Sequence, residues 1–290
     1  MLRITKIRAT TMPNHLSNFN TILLNLDLAI FVSFCHKYIK CGVLPQIFTF
    51  VFMDVQKFLN QGEKLYLPNV SVDIVILGFK DGELKVLLLE FEGSWALPGG
   101  YVGKDESVSD AAVRVLEERT GLQQPYLRLF QVFGDRDRNF ASEFERLLKA
   151  AGYHWNKDLW INGRFISLAY YALIHIEDAR PTGGIFSQPC AWHNLDDLPP
   201  MLMDHAKIAL ESRTQLKRDI GMEQISFNLL PEEFTMPQLH KLHERILERK
   251  LERSRFQKKM LSLDIFERLP EPKADAPRRK PFLYRFKKEG

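Results

Sequence analysis

The sequence predicts an α/β protein with α+β character: a mixed sheet covered by helices, followed by a small basic helix-turn-helix domain. Three observations carry this. Apolar strand-like segments and amphipathic helical segments alternate between about residues 65 and 218. A glycine pair, Gly99-Gly100, opens the loop into a well-patterned helix. From Met236 to Gly290 there are 16 Lys and Arg against 8 Asp and Glu, a net of +8, while the rest of the chain has 24 basic and 28 acidic residues, a net of −4. A near-neutral body joined to a basic end points to a polyanionic partner for that end.

The 290 residues suffice for one or two domains, and an apolar fraction of 45% with 26% charged residues is that of a chain able to bury a core. Cys35, Cys41 and Cys190 lack zinc spacing, and their odd number argues against a disulfide framework. A reducing, cytoplasmic setting is therefore expected. No internal repeat is visible. Residues 1–52 contain one acid, Asp27, with apolar runs at Ile22-Leu23-Leu24 and Leu28-Ala29-Ile30-Phe31-Val32. Asn25 and Asp27 interrupt the first run and Pro45 the second, short of the roughly 20 apolar residues a membrane span needs. No small-residue cleavage site follows the apolar core cleanly. Residues 1–52 are thus expected to be an N-terminal extension, disordered or ahead of the true start at Met53, with no membrane partner.

The first domain, expected over 53–220, opens with a β-rich stretch, Asn69 to Leu77, turned by Lys80-Asp81-Gly82-Glu83 into a hairpin partner, Leu84 to Glu90. Ser107 to Arg119 predicts a helix with Val108, Ala111, Ala112, Val115 and Leu116 inward. Leu127–Phe133 and Phe165–Ile174 predict strands, and about Asp204 to Arg218 a helix. Asn139 to Arg164 reads as an inserted helix and loop, with Phe144, Leu147 and Leu148 on one side of the helix.

The second domain, expected over 221–290, has Thr235 as N-cap and Pro237 in the first turn of a helix striped by Leu239, Leu242, Ile246 and Leu247. A second helix begins near Glu252, with Phe256, Met260, Leu261 and Leu263 inward. Arg253, Ser254, Arg255, Gln257, Lys258 and Lys259 are its candidate DNA-binding residues. Ile265–Leu269, a Pro- and Arg-rich loop and Pro281–Phe286 complete a winged helix-turn-helix pattern. The second helix is expected in the major groove of DNA, with Arg278, Arg279 and Lys280 of the wing on phosphate.

Gly100, Glu106, Arg114, Leu116, Glu118, Gly121 and Leu122 stand at the spacing of a pyrophosphate-hydrolase signature, and this stretch resembles a Nudix box. That family's pattern has acids where this chain has Val115 and Arg119. Helical positions i, i+3 and i+4 share a face. Three acids there would hold hard divalent cations; Val115, Glu118 and Arg119 sum to no charge instead. Arg119 is suited to bind an anionic or hydroxyl-rich ligand directly. The resemblance implies an α/β/α sandwich, a Glu106–Arg114 pair bracing the box loop beside Gly121, and a pocket at Gly99, Gly100, Glu118 and Arg119. No catalytic residue, metal site or cofactor is expected.

With Leu198-Pro199-Pro200, Asp204-His205, Leu229 to Thr235 and the Phe256 to Leu261 helix, the chain resembles over about residues 55–290 the Nudix-related transcriptional regulators. Such regulators have a degraded box fused to a C-terminal winged helix. This implies a homodimer on a double-stranded DNA operator, released or engaged by a small molecule, with ADP-ribose and pentoses such as arabinose as known effector classes. Trp95, Trp155 and Trp160 are candidates to stack on a sugar or base, or core aromatics; Trp95 is placed with the ligand residues. His205 is expected to cap and pack at the domain junction. Two rivals stand beside this reading: a Mg2+- or Mn2+-dependent Nudix hydrolase with a basic module, which Glu118→Gln would disable, and a basic adaptor for protein partners.

Overall fold

A computed structural model describes residues 55, 57–123, 125–183, 188–270 and 281–287. The expected extension over 1–52 and the wing cations Arg278, Arg279 and Lys280 lie outside the described residues.

The chain enters through helix α1 (57–65) into the long strand β1 (Tyr66–Lys80), around which the sheet is built. Asp81 and Gly82, at φ 54° and 76°, turn β1 into β2 (Glu83–Phe91), as Asp-Gly favours in a two-residue hairpin. β3 (Ser94–Ala96) follows on β2, and β4 (Gly99–Gly103) returns antiparallel to the first half of β1. β6 (Ile166–Leu173) pairs parallel to β1 from Val70↔Ile166 to Leu77↔Leu173, with β5 (Tyr126–Phe133) at its outer edge. The order is β3-β2-β1-β6-β5, with β4 also on β1 and β7 (Cys190–Asn194) on β2.

Alternation along β1 decides the layers. Val72, Ile74 and Ile76 face helix α2 (Val108–Thr120), packing on Ala111, Ala112, Val115 and Leu116. Val75 and Leu77 face the other way, onto Ile208, Ala209 and Leu216 of helix α4 (His205–Met222). This is the expected sandwich. Ser107 and Asp110 form a capping box at the start of α2, and Gly121, at φ 70°, ends it with its N–H on Glu117 O. Leu148 of helix α3 (Ala141–Ala150) packs with Leu59 of α1 and with Ile161 of the turn that follows, a third small core beside Tyr101 and Trp160.

The core on the α4 side does not stop at the sheet. It continues through Ile225, Leu229 and Leu230 into Phe234, Leu239, Leu242, Ile246, Phe256, Met260 and Tyr284 of a C-terminal winged helix. There β8 (Phe234–Thr235), helix α5 (Met236–Leu247), helix α6 (Arg253–Leu261), β9 (Phe266–Arg268) and β10 (Leu283–Phe286) form two helices and a small sheet of order β8-β10-β9. Thr235 caps α5 in a capping box with Gln238, and Glu252 caps α6 by accepting from the Ser254 and Arg255 N–H groups. One detail of the expected pattern is corrected. Leu261 and Leu263 are exposed, at 42% and 38%, because α6 ends at Leu261 and only Phe256 and Met260, four residues apart, reach the core. Among the described residues no helix is long and apolar enough to cross a membrane.

His243 in α5 is buried on Phe256, with Nε2 3.1 Å from Ser226 Oγ. Burial, helped by Lys259 and His240, pushes its imidazole down to about 4. The unfolded chain therefore takes up a proton near pH 6.5 that the folded ring refuses. Stability should be full above that pH and fall by on the order of 3 kcal/mol on acidification to pH 4. Urea denaturation across this range should show the loss in the parent and a flatter profile in His243→Gln.

Candidate functional site

The cleft lies over the β1–β4 pairing, where Asp73 sits opposite Gly99. A Cβ on Gly99 would stand 2.7 Å from Asp73 Oδ1 and 2.9 Å from Val72 O; one on Gly100 would stand 2.6 Å from Val115 Cγ2. Both positions therefore demand glycine, and Val115 is the reason for the second. It is buried in the core beneath the loop, so residues 115, 118 and 119 do not present one common face to the cleft as expected. The loop is braced from the other side. Arg114 donates to Glu106 through Nε at 3.0 Å and Nη2 at 2.7 Å and to Tyr101 O, and Glu106 Oε1 accepts the Gly103 N–H. The Arg114 hydrogen bonds hold the Glu106 carboxyl below the usual range.

Glu118 is exposed and takes Arg114 Nη1 at 3.2 Å. Arg119 bends into the cleft, where Nη2 donates to Gly99 O at 3.3 Å. Its Nε and Nη1 are buried and have no hydrogen-bond partner. Burial lowers its pKa, yet a guanidinium stays protonated. The donor set thus does not fit a divalent cation: of the three family positions one is core, one is an engaged carboxylate and one a cation. Among the described residues no group of three or more His, Cys, Asp or Glu side chains could hold a metal ion.

The cleft floor is a buried ionic cluster absent from the expected site. Arg138, 5% exposed, donates to Asp204 through Nε at 2.8 Å and Nη2 at 3.1 Å, to Phe165 O through Nη1, and to Asp73 Oδ2 at 3.4 Å. Ser167 Oγ also donates to Asp73 Oδ2. Asp204, expected with His205 at a capped helix start, makes no side-chain cap, because its carboxylate is taken by Arg138. His205 lies on this floor rather than at the domain junction, and its Nδ1 accepts the Leu97 N–H at 3.0 Å. Phe58, Tyr66, Tyr101, Phe144 and Phe165 supply aromatic lining to a cleft of about 1160 Å³.

Gly99, Gly100, Glu118 and Arg119 line this cleft together, whereas Trp95 does not. In β3 the alternation that turns Ala96 toward the cleft turns Trp95 the other way, edge-on to His193 at 4.1 Å. Trp155 and Trp160 belong to the small α1–α3 core.

On the winged helix, Arg253, Ser254, Arg255, Lys258 and Lys259 are exposed along α6, with Gln257 half-buried beside them. The two parts are clamped by ion pairs. Glu248, at the C-cap of α5, takes Arg213 Nη1 at 2.6 Å and Lys217 of α4. Arg245 pairs with Glu83 and donates to Gly82 O at 2.9 Å at the β1–β2 turn.

Comparison with known proteins agrees with this architecture. The Nudix domain profile matches residues 67–212, and that of the NrtR DNA-binding winged helix domain matches residues 226–286. The chain belongs to the Nudix family and is NrtR-like, a Nudix domain followed by an NrtR winged helix. It is 26% identical over 246 residues to the ADPR responsive transcriptional repressor NtrR of Acinetobacter baylyi, covering 81% of this chain and 89% of that protein. It is 28% identical over 151 residues to the ADP-ribose pyrophosphatase of Methanocaldococcus jannaschii, covering 50% and 73%. The crystal structure of Shewanella oneidensis NrtR complexed with a 27mer DNA superposes with a TM-score of 0.57 at 24% identity, covering 75% of this chain and 93% of that one.

Removing Arg138 leaves the buried Asp73 and the half-buried Asp204 carboxylates without their counter-charge. Arg138→Ala should cost about 3 kcal/mol or more in urea denaturation. A loss within the error of the measurement would contradict the account of the cleft floor.

Proposed function

We propose that the chain is a ligand-responsive transcriptional regulator, acting as a dimer in the cytoplasm, whose Nudix domain senses an ADP-ribose-type metabolite and controls operator binding by the winged helix. The observation that carries this is Arg119. At a position where hydrolases of the family have an acid, this chain has a cleft-lining arginine whose Nε and Nη1 are buried and without a hydrogen-bond partner. Such a group satisfies an anionic oxygen directly, with no metal between. That two relatives, a repressor and a pyrophosphatase, are both named for ADP-ribose supports this effector class. The NtrR relative aligns over most of the chain and supports the role of regulator rather than enzyme.

α4 provides a route between the two ends. Its first residue, His205, lies in the cleft, and Arg213 and Lys217 grip Glu248 of the winged helix. Eighteen helical residues span about 27 Å as one rod. A ligand that binds one placement of this rod better shifts the dimer between states that present α6 differently to two half-sites.

The test is a gel-shift titration with the chain's own upstream DNA. ADP-ribose should change the affinity of the parent about tenfold or more. Arg119→Ala should keep DNA binding and lose the response, while Arg255→Ala and Lys258→Ala should weaken DNA binding itself. An unchanged response in Arg119→Ala sinks the proposal. So does Mg2+- or Mn2+-dependent phosphate release at an enzymatic rate that is lost in Glu118→Gln.

A further inference from the structure

We infer that Asp73 and His205 form a subsite for a single sugar hydroxyl of the effector, an inference that rests on the sensing role proposed above. Both side chains line the cleft, and they are 7% and 6% exposed. The Leu97 N–H donates to His205 Nδ1, and a ring nitrogen that accepts carries no proton, so the ring's N–H is at Nε2. Nε2 stands 3.8 Å from Asp73 Oδ1, beyond hydrogen-bond length. Asp73 Oδ2 is already committed to Ser167 and Arg138. A buried donor and a buried acceptor thus face each other at a separation neither closes alone.

An oxygen about 2.8 Å from each completes both, accepting from Nε2 and donating to Oδ1. A hydroxyl does both. A phosphate oxygen accepts only and meets the charge of Asp73; an ammonium donates only; an apolar group leaves both unsatisfied. Gly99 stands between this pair and Arg119. Its Cβ position is 2.7 Å from Asp73 Oδ1, and its carbonyl accepts from Arg119 Nη2. One ligand carrying an anionic group and a sugar hydroxyl a few bonds apart therefore fits both sides of the glycine, which is the chemistry of a sugar joined to phosphate. The hydroxyl contact falls on the first residue of α4, so the sugar, rather than the anion, touches the rod that leads to the winged helix.

The experiment is calorimetric titration of the full chain with ADP-ribose and with analogues lacking single hydroxyls of the terminal ribose. Removal of one particular hydroxyl should weaken binding by the parent about tenfold. His205→Phe should lose a similar factor with ADP-ribose and no longer distinguish that analogue. Should His205→Phe fail to fold, the analogue series on the parent decides alone. Equal binding of all analogues by the parent, within about twofold, would mean that water fills the position and would overturn the subsite while leaving the sensing role intact. Discrimination that persists in His205→Phe overturns it equally. No binding of ADP-ribose by the parent overturns the effector assignment, and the subsite with it.

Discussion

A guanidinium buried between two carboxylates from different layers of the fold is the constraint on which the cleft depends. Arg138 comes from a loop, Asp73 from the central strand and Asp204 from the start of α4. A buried charge is tolerated only when it is paired and its remaining hydrogen bonds are met, and here Phe165 O and Ser167 complete the set. The cluster pins the helix start to the sheet, which fixes where His205 points and how closely Gly99 can approach. The family's box loop keeps its shape by a separate device, the Glu106–Arg114 pair, so shape and charge at this site are maintained independently.

That independence means that the form of the site does not rest on a bound ion. Glu106, Arg114 and Gly121 hold the loop and end the helix, and none of them needs an ion. Val115 packs under Gly100, where an acid would meet apolar neighbours. Arg119 puts positive charge on the protein itself. The positive charge of this cradle thus comes from a side chain, held against Gly99 O.

Much of the fold was legible in residues that follow local rules. The box helix shows its capping pair, its apolar stripe and its terminal glycine; α5 shows Thr235, Pro237 and its stripe. β3, β4 and β7 were not, because strands of three to five residues carry too few alternations to register. The face of Trp95 is hidden for the same reason: in so short a strand one residue of register decides it. Of the candidate site, Gly99, Gly100, Glu118 and Arg119 do share the cleft, but its floor is assembled from residues far apart in the chain. Asp73, a lone carboxylate within an apolar strand, is the one local signal of that floor. Arg138 follows Asp135-Arg136-Asp137, and nothing in an alternating run of charges tells which one will be drawn inside.

The apolar core that runs unbroken from Val75 of the central strand through Leu229 to Phe256 and Tyr284 has a consequence for how such a chain can be rebuilt or can diverge. The DNA-reading part is not a bead on a string. Its inner surface is cut to fit one particular neighbour, and exchanging it for the equivalent part of a distant relative would leave mismatched volumes along a shared wall. On the outward side of α6 residues can vary without disturbing that wall.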